Sequence, residues 1–485
     1  MARIRGGKRK RQQVRVGAAD RALTPNGGMA AVSELCDRLG VIAALDAAVG
    51  PVKERDRGFG AGQLLTGIAA AQLAGADFLT GLDRHRADAA GQQLTPVPGL
   101  SSTTAAGVAR RITGAQWLAV ETGLAAVTGR MMGVLPAARA AVLTGGPVTI
   151  DLDATDVEAC GRKKRGMAYN YQGQRAGRPH VAAWAETEIV LAADLGSGTD
   201  DPRATAPGLL RRALAALPER ARAEGRVALR ADAGYFAGAL ARAAHDEHIS
   251  FAIGARRIAP LWRLLDGIGE DDWHDAIDMD HAQVAVAAYG PDWWPATTRL
   301  LIRRARLDPA QVSADPRSRR RRTLHPAQRA LPLPELAGAD AIYAYSFILT
   351  NLDVATPDKA AAVEHWYRHR TTIENIFRDS KHGAALRHLP SGYPQVNTAW
   401  MWGALLAASI AGWLHQLTTA TSGPAILAGH GVRGGKAMIA TLRWRLIAVP
   451  GRLIRHAGQL TLRLPPGHSL LAEILARLRA LPATS

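Results

Sequence analysis

Apolar residues follow two different spacings along this chain, and the change from one to the other divides it. Between about residues 30 and 142 they recur at helical spacing, as in the stretch from Ala31 to Leu39, with few β-branched runs. A Gly-Gly-Pro break follows at residues 145–147, and Val148 to Asp153 then alternates apolar with polar positions, as a strand does. The pattern predicts a helical N-terminal region followed by an α/β architecture.

Further strands and helices are predicted after this break. A helical stretch from Pro207 to Ala223 lies between the third and fourth predicted strands, so we expect a hairpin and then a helix that crosses to a strand beside the first. Helices are expected again from Lys359 through Leu417. The predicted strands are Val148–Asp153, Val181–Trp184, Ile189–Ala192, Val227–Ala231, Ala282–Ala288, Thr297–Arg303 and Tyr343–Leu349.

Within the helical N-terminal region, one segment has the features of a helix start. Ser101 is a plausible N-cap for a helical stretch that ends at Arg110 and Arg111. This basic helix can be interpreted as an element that enters a DNA groove, and a plain helical bundle explains it equally well.

The charge balance points to a polyanionic partner. Lys and Arg number 60 against 42 Asp and Glu, which gives a net charge of +18. Seven basic residues and no acid occur in the first 15 residues, the composition of an arm that lies along phosphates or of a solvated tail. A ribosome-associated protein, an arginine-favouring genome and an anionic membrane surface remain alternative explanations of the overall charge.

The sequence favours a cytoplasmic protein over a secreted or membrane-spanning one. Only Cys36 and Cys160 are present, without the spacing of a disulfide framework or a cysteine zinc site. The basic N-terminus is not followed by an apolar signal segment. The apolar run from Trp400 to Leu414 spans 15 residues, fewer than the roughly 20 that cross a bilayer, and is predicted to be a buried core helix.

Two candidate carboxylate positions lie at predicted strand ends. Strand alternation puts Asp151 and Asp153 on one face, where a hard cation bound through oxygen would offset their charge. Acids that simply reach solvent at a strand end are the alternative. Asp232 follows the strand that ends at Ala231, at the edge where open α/β sheets keep their sites, although it can equally form an Asx-turn with Gly234.

A third candidate lies in the C-terminal half. Tyr367, Arg370, Glu374 and Lys381 have offsets of 0, 3, 7 and 14, so on one continuous helix they project within roughly 60° of one another. Such a polar stripe suits metal-assisted chemistry on a phosphate held by cations and a hydroxyl. The alternative is a solvated basic face that carries an Arg370–Glu374 pair.

This spacing of Tyr, Arg, Glu and Lys resembles the signature of cut-and-paste insertion-sequence transposases with an RNase H-like core. Asp153-Ala154-Thr155 resembles the first aspartate motif of that family, and the segment from Arg230 to Tyr235 resembles the second. The chain looks closest to the thirteen-eighty group of the insertion-sequence-four superfamily. Because the family aspartate directly precedes a small residue and Thr, Asp153 is assigned as the first carboxylate, and Asp151 stays second choice.

The resemblance implies an α/β fold with an RNase H-like mixed sheet and a mainly β insertion. The boundaries expected from it, together with the sequence pattern, define five segments. They are a basic arm and helical DNA-binding region at 1–145, the first part of the core at 146–248, the insertion at 249–340, the last part of the core with the Glu-bearing helix at 341–420, and a basic C-terminal segment at 421–485.

The resemblance also implies the reaction and its site. Terminal inverted repeats would be nicked by hydrolysis, and a 3′-hydroxyl would then attack a phosphodiester of the target DNA. Asp153, Asp232 and Glu374 would be the catalytic residues that hold two divalent cations, with Mg²⁺ expected from an all-carboxylate ligand set and Mn²⁺ able to substitute. Tyr367, Arg370 and Lys381 would bind phosphates beside the scissile end.

The expected partners follow from the same resemblance. They are double-stranded DNA and a second copy of the chain in a homodimeric complex, in association with the bacterial nucleoid. A nucleotide cofactor is not expected, because the segment from His430 to Ala437 departs from a phosphate-binding loop at both ends. An RNase H-like endonuclease without strand transfer and a catalytically silent, transposon-derived DNA-binding protein are the alternatives. The Trp293-Trp294 pair can stack on a displaced base or pack within the insertion.

Overall fold

The fold is that of a computed structural model, which describes residues 14–54, 57–222, 225–339, 341–419, 427 and 435–482. The basic arm predicted at the N-terminus lies outside these residues apart from Val14 and Arg15. Most of the segment examined for a phosphate-binding loop, from His430 to Gly434, lies outside them as well.

The N-terminal region is helical, as its apolar spacing predicts. Ser101 is the N-cap of the fifth helix, and its Oγ accepts a hydrogen bond from the backbone N–H of Thr104 at 3.2 Å, which confirms that prediction. The elements are β1 (Leu23–Thr24), α1 (Met29–Leu39), α2 (Val41–Val49), α3 (Ala61–Leu73), α4 (Gly81–Ala87), α5 (Ser102–Ala109), α6 (Gly114–Val134) and α7 (Ala137–Gly145).

A large mixed sheet follows. Its first elements are β2 (Val148–Ala154), β3 (Val157–Glu158), β4 (Ala168–Tyr169), β5 (Arg175–Trp184), β6 (Ile189–Ser197), α8 (Pro202–Ala216), β7 (Val227–Ala231), α9 (Gly238–Asp246) and β8 (Ser250–Ala255). Strand β5 lies between β2 and β6 and is antiparallel to both, and β7 pairs in parallel with β2 on its other side after the crossover helix α8. This confirms the predicted hairpin and crossover. Strand β8 pairs with β7, again in parallel.

The segment expected to be a mainly β insertion contributes strands to this same sheet. The elements from this segment to the strand that follows it are α10 (Ala259–Leu265), β9 (His274–Asp275), β10 (Ala282–Ala288), β11 (Arg299–Arg306), α11 (Pro326–Ala330), α12 (Leu333–Ala337) and β12 (Tyr343–Thr350). Strand β12 pairs with β8, and β11, β10 and β9 follow in antiparallel order. The backbone groups at the otherwise open edge of β8 are therefore hydrogen-bonded.

The helix expected to carry the whole Tyr-Arg-Glu-Lys spacing is broken, and the prediction of one continuous stripe is wrong. Helix α13 (Pro357–Arg368) ends before His369, and α14 (Thr371–His382) begins after Arg370. The ψ angles of 27° and 19° at these two residues leave the helical range near −42° and interrupt the hydrogen-bond series. Tyr367 and Glu374 therefore lie on different helices.

Helix α15 (Pro394–Thr418) is the buried core helix that its apolar run predicts. It packs against α3 and against β6, and Trp400, Trp402 and Trp413 are almost fully buried. Gly403 lets α3 approach closely, because a Cβ there would lie 2.4 Å from Cγ2 of Ile68. In the part of the chain that the structure describes, no helix is both long and apolar enough to cross a membrane.

The C-terminal segment folds back onto the N-terminal region. Its elements are α16 (Ile439–Leu442), a π-helical turn (Arg443–Ile447), β13 (Gly451–His456), β14 (Gln459–Arg463) and α17 (Leu470–Ala480). Strand β13 pairs with both β1 and β14, and α17 packs on α1. The Arg443 guanidinium donates to the carbonyls of Gln72 and Leu73 at 2.7 Å, and these bonds satisfy carbonyl groups at the C-terminal end of α3.

Candidate active site

Two of the predicted carboxylates lie side by side at one edge of the sheet. The parallel register of β2 and β7 ends with Leu152 beside Ala231, so the next residues, Asp153 and Asp232, lie side by side. Asp153 is still paired with Val181 of β5, whereas Asp232 follows the end of β7. Both line a cavity of about 590 Å³, and the signature residue Lys381 lines it too. The edge is the C-terminal end of adjacent parallel strands, where open α/β sheets place their ligands.

Asp153 is held in an environment that opposes its charge. Its Oδ1 accepts a hydrogen bond from the backbone N–H of Ala154 at 2.8 Å. Burial raises the pKa of Asp153 to about 7; the positive charge of Arg370 opposes this shift, whereas the nearby Asp232 and, more weakly, Glu374 add to it. A carboxyl group with these surroundings would lose its proton more readily beside an added cation.

Asp232 forms the Asx-turn that its sequence allows. Its Oδ1 accepts the backbone N–H of Gly234 at 2.8 Å and caps the 3₁₀ turn Ala233–Tyr235. This local role fixes the direction of the carboxylate toward the cavity and does not use its second oxygen. The turn and a binding role for Asp232 are thus compatible.

Asp151 has a different environment, although it lies on the same face of β2. Its side chain is 0% exposed, and its two oxygens accept bonds from Arg230 at 2.7 and 2.9 Å. Arg230 also donates to the carbonyl of Trp366 at 2.6 Å and lies 5.0 Å from the centre of that indole ring. Asp151 is therefore part of a closed ion pair that joins β2, β7 and the end of α13.

Glu374 does not complete a three-carboxylate cluster. It lies in the first turn of α14 with its side chain exposed, and it is not among the residues that line the cavity. The described residues contain no group of three or more His, Cys, Asp or Glu side chains placed to hold a metal ion. The charge of Glu374 nevertheless contributes to the raised pKa of Asp153. The structure thus brings two of the three predicted ligands together.

The three signature residues that were expected to bind phosphate differ in their contacts. The Tyr367 hydroxyl donates to the carbonyl of Ala231 at 3.2 Å, and burial raises its pKa to about 12. Lys381 Nζ donates to Oγ1 of Thr155 at 2.6 Å and to the carbonyl of Asp156 at 2.8 Å. Both therefore hold backbone next to the candidate carboxylates.

Arg370 is the third signature residue. Its Nε and one terminal nitrogen are buried without a hydrogen-bond partner in the described part of the chain. Burial raises the pKa values of Asp151 and Asp153, and the positive charge of Arg370 opposes that shift at both residues. Arg370 therefore combines unused donors with a position close to the carboxylates.

The comparison with protein families decides the class of this protein. The family model described as "Transposase DDE domain" matches residues 144–410, more than half of the 485-residue chain. The chain belongs to this family. It is therefore a transposase of the DDE type, a class of enzymes that cleave DNA and transfer strands and that generally use divalent metal ions.

This transposase was also compared with curated proteins and with solved structures. Among curated proteins, no sequence matches the chain. A solved structure, "Cryo-EM structure of piggyBac transposase synaptic complex with hairpin DNA (SNHP)", is similar, with 10% identity and a TM-score of 0.39. The similarity covers 86% of this chain and 79% of that chain.

Two residues at the transposase site, Arg230 and Gly254, were not assigned a role from the sequence. Arg230 neutralises Asp151, and the spacing contained a signal for it: Arg230 precedes Asp232 by two residues, as Asp151 precedes Asp153. Gly254 on β8 leaves room for Tyr367, because a Cβ there would lie 2.4 Å from the tyrosine hydroxyl.

The two tryptophans of the Trp293-Trp294 pair differ in exposure. Trp294 is buried and packs against Phe236 and Tyr289, with ring centres 5.6 and 5.9 Å away. Trp293 is 50% exposed, and its carbonyl accepts a bond from Arg242. Trp294 is a core residue, whereas Trp293 is half exposed and its ring centre lies 5.9 Å from that of Trp294.

Proposed function

We propose that this transposase moves an insertion sequence by a cut-and-paste reaction, in which it cleaves DNA at terminal inverted repeats and joins the freed ends to target DNA. One observation carries the proposal: Asp153 near the end of β2 and Asp232 just after β7 follow the last paired residues of two adjacent parallel strands and line one cavity. Paired carboxylates beside a basic surface suit metal-assisted transfer of a phosphodiester.

Asp153, rather than Asp151, is the proposed first catalytic residue. Both oxygens of Asp151 are bound by Arg230, so binding a cation there would break a buried ion pair. Asp153 has no ion pair in the described residues, and burial raises its pKa to about 7. A bound divalent ion would favour the ionised form of Asp153.

The donor set fits a hard divalent cation. Asp153 and Asp232 offer carboxylate oxygens only, which favours Mg²⁺, with Mn²⁺ as a substitute. We propose that Glu374 joins them as the third ligand when two ions and DNA are bound. When bound, such ions activate the attacking oxygen and stabilise the leaving oxygen of the phosphodiester.

The three signature residues have distinct proposed roles around this site. Arg370 has unused buried donors and would bind a phosphate beside the scissile bond. Lys381 holds the backbone after Asp153, and Tyr367 holds the end of β7 before Asp232. Their contribution to phosphate binding would then come through the strand ends that they position.

The proposed core of the enzyme is RNase H-like. It would consist of β6, β5, β2, β7 and β8 with α13 and α14, and the segment between β8 and β12 would be the insertion. The helical N-terminal region and the C-terminal segment, which share a small sheet, would bind the repeats. A homodimer is proposed because two DNA ends must be joined in one complex.

The proposal is tested with purified protein and a DNA fragment that carries the repeats flanking its own gene. We expect Mg²⁺-dependent cleavage and joining by the wild type and by Glu335→Gln, an exposed acid on α12, and a loss of both reactions in Glu374→Gln. Equal cleavage by Glu374→Gln would end the three-carboxylate assignment. Cleavage without joining would show a plain endonuclease, and binding without cleavage a silent DNA-binding protein.

A further inference from the structure

A tight turn next to the candidate active site presents an exposed tyrosine. Strands β4 and β5 are joined by a turn in which the backbone N–H of Asn170 donates to the carbonyl of Gln174 at 2.8 Å. Oδ1 of Asn170 accepts the backbone N–H groups of Gln172 and Gln174 at 3.0 and 2.9 Å. Gly173 has a φ of 74°, the left-handed conformation that this turn requires. Tyr171, at the tip, is 85% exposed.

The turn is attached to the segment that follows Asp153. Asn170 is buried, and its Nδ2 donates to Oδ2 of Asp156 at 2.8 Å. Asp156 also pairs with Arg178 at 2.7 Å, and its carbonyl accepts the bond from Lys381. Tyr171 consequently lines the same cavity as Asp153.

The residues before the turn carry unpaired positive charge. No acid occurs between residues 159 and 185. Lys164 and Arg175 donate to backbone carbonyls, Lys164 to that of Leu389 and Arg175 to that of Gly161 at 2.7 Å, and so brace the loop.

Three other cations of this loop have no such role. Arg162, Lys163 and Arg165 are exposed, and no side-chain hydrogen bond or ion pair holds them within the described residues. Exposed cations beside an exposed aromatic ring are the features of a surface that binds a nucleic acid strand.

We infer that residues 161–175, the cavity hairpin, bind the DNA strand that enters the active site. Tyr171 stacks on a base of that strand, and Arg162, Lys163 and Arg165 bind its phosphates. The inference rests on the proposed function of the cavity as the cleavage site. It adds to that function a surface that places the strand by stacking and charge.

Stacking is tested by fluorescence without divalent cation, so that the DNA stays intact. The probe is a duplex with the flanking repeat and an unpaired 3′ extension that contains 2-aminopurine, whose emission falls on stacking. We expect quenching by the wild type, by Tyr171→Phe and by Tyr169→Ala, and a loss of most quenching with Tyr171→Ala. Tyr169 is the matched control because it is 63% exposed on the same hairpin but does not line the cavity.

Two results would overturn the stacking role. One is equal quenching by Tyr171→Ala and the wild type, and the other is an equal loss with Tyr169→Ala. Because Tyr171 is exposed, its substitution should leave the thermal unfolding temperature unchanged, which separates loss of stacking from loss of fold.

The phosphate contacts are tested by the salt dependence of binding to the same DNA. Replacing Arg162, Lys163 and Arg165 together by Gln should reduce the slope of log affinity against log salt by about 2 to 3, since each contact contributes roughly 0.7 to 0.9. The control replaces Arg317, Arg319 and Arg322, three exposed arginines of another loop, and removes the same charge. Equal slope changes in the two triple variants would refute the hairpin surface.

The binding assays separate this inference from the proposed function. Wild-type cleavage by Glu374→Gln would refute the catalytic assignment without altering the quenching result. Unchanged quenching by Tyr171→Ala would refute the hairpin and leave the catalytic assignment intact.

Discussion

Two pairs of charged side chains, contributed by the same two neighbouring strands, differ in burial and in whether their charges are paired. The inner pair, Asp151 on β2 and Arg230 on β7, carries opposite charges, is buried, and is joined by two hydrogen bonds. The outer pair, Asp153 and Asp232, lies one step further along, carries like charges and opens onto a cavity. The two members contributed by each strand are only two residues apart.

The difference indicates which pair serves stability and which serves binding. Asp151 and Arg230 neutralise each other's charge, and their hydrogen bonds connect β2 to β7. Burial raises the pKa of both Asp151 and Asp153, but the charge and hydrogen bonds of Arg230 oppose the shift at Asp151, whereas the like charge of Asp232 adds to it at Asp153. A site that binds a cation needs this second arrangement, because a carboxylate already paired with arginine has little to offer a metal.

The largest expected effect comes from removing the charge of the outer pair. Asp153→Asn should lower the rate of DNA cleavage by about 10³-fold or more, because several kcal/mol of transition-state stabilisation are lost. Its free energy of unfolding should not decrease. Single-turnover cleavage and guanidinium unfolding measure the two quantities. A variant that cuts within tenfold of the wild type would remove Asp153 from the catalytic set.

The inner pair should behave in the opposite way. Asp151→Ala should lower the free energy of unfolding by about 3 to 5 kcal/mol, because Arg230 is left buried and unpaired. The double variant Asp151→Leu with Arg230→Met should recover most of that loss, since it leaves no charge behind. Denaturant unfolding measures both. If the single variant is destabilised by less than 1 kcal/mol, the closed pair is not as important as the geometry indicates.

The next largest effect is expected in the pH dependence of stability, to which Asp153 of the outer pair contributes. In the folded metal-free protein Asp153 keeps its proton up to about pH 7, whereas in the unfolded chain it loses it near pH 3.8. The folded state therefore binds more protons in this window, so stability falls as pH rises through it. Asp153→Asn cannot titrate and should gain roughly 1 to 3 kcal/mol relative to the wild type between pH 4 and pH 8. Parallel stability curves would contradict this assignment.

The smallest effect is expected at Tyr367, whose hydroxyl bonds to the strand that ends beside the outer pair. Tyr367→Phe removes one hydrogen bond to Ala231 and should cost about 1 kcal/mol of unfolding free energy. Cleavage should fall by less than tenfold, whereas Arg370→Gln, which removes unused donors near the carboxylates, should reduce it more. A larger loss for Tyr367→Phe than for Arg370→Gln would give the tyrosine a direct role.

Alternation and helical spacing predicted the elements of the sheet well. Val227–Ala231 and Ala282–Ala288 are strands with the predicted bounds, and the strand predicted at Tyr343–Leu349 extends one residue further. These strands have buried apolar faces, so the local pattern and the burial agree. The break at His369 and Arg370 was not predicted, because α13 ends where Arg230 binds Trp366 and Tyr367 bonds to Ala231. Those contacts are tertiary.

The pairing of the chain ends also lay beyond the sequence pattern. Residues Leu23–Thr24 form a strand only because β13 supplies their partner, more than 400 positions away. The exposed position of Glu374 is a second case. Its spacing from Tyr367 assumes one continuous helix, but the two residues lie on different helices.

The sequence by itself determined which acidic residues lie near the ends of strands, because the alternation of apolar and polar residues along a strand is a local property of the residue order. It also determined the motifs by which the chain resembles DDE transposases. Only the tertiary structure decided which aspartate is free. The motif resemblance favours Asp153 over Asp151, but Arg230, whose ion pair with Asp151 leaves Asp153 the free aspartate, lies 79 positions from Asp151 and reaches it only when β7 pairs with β2.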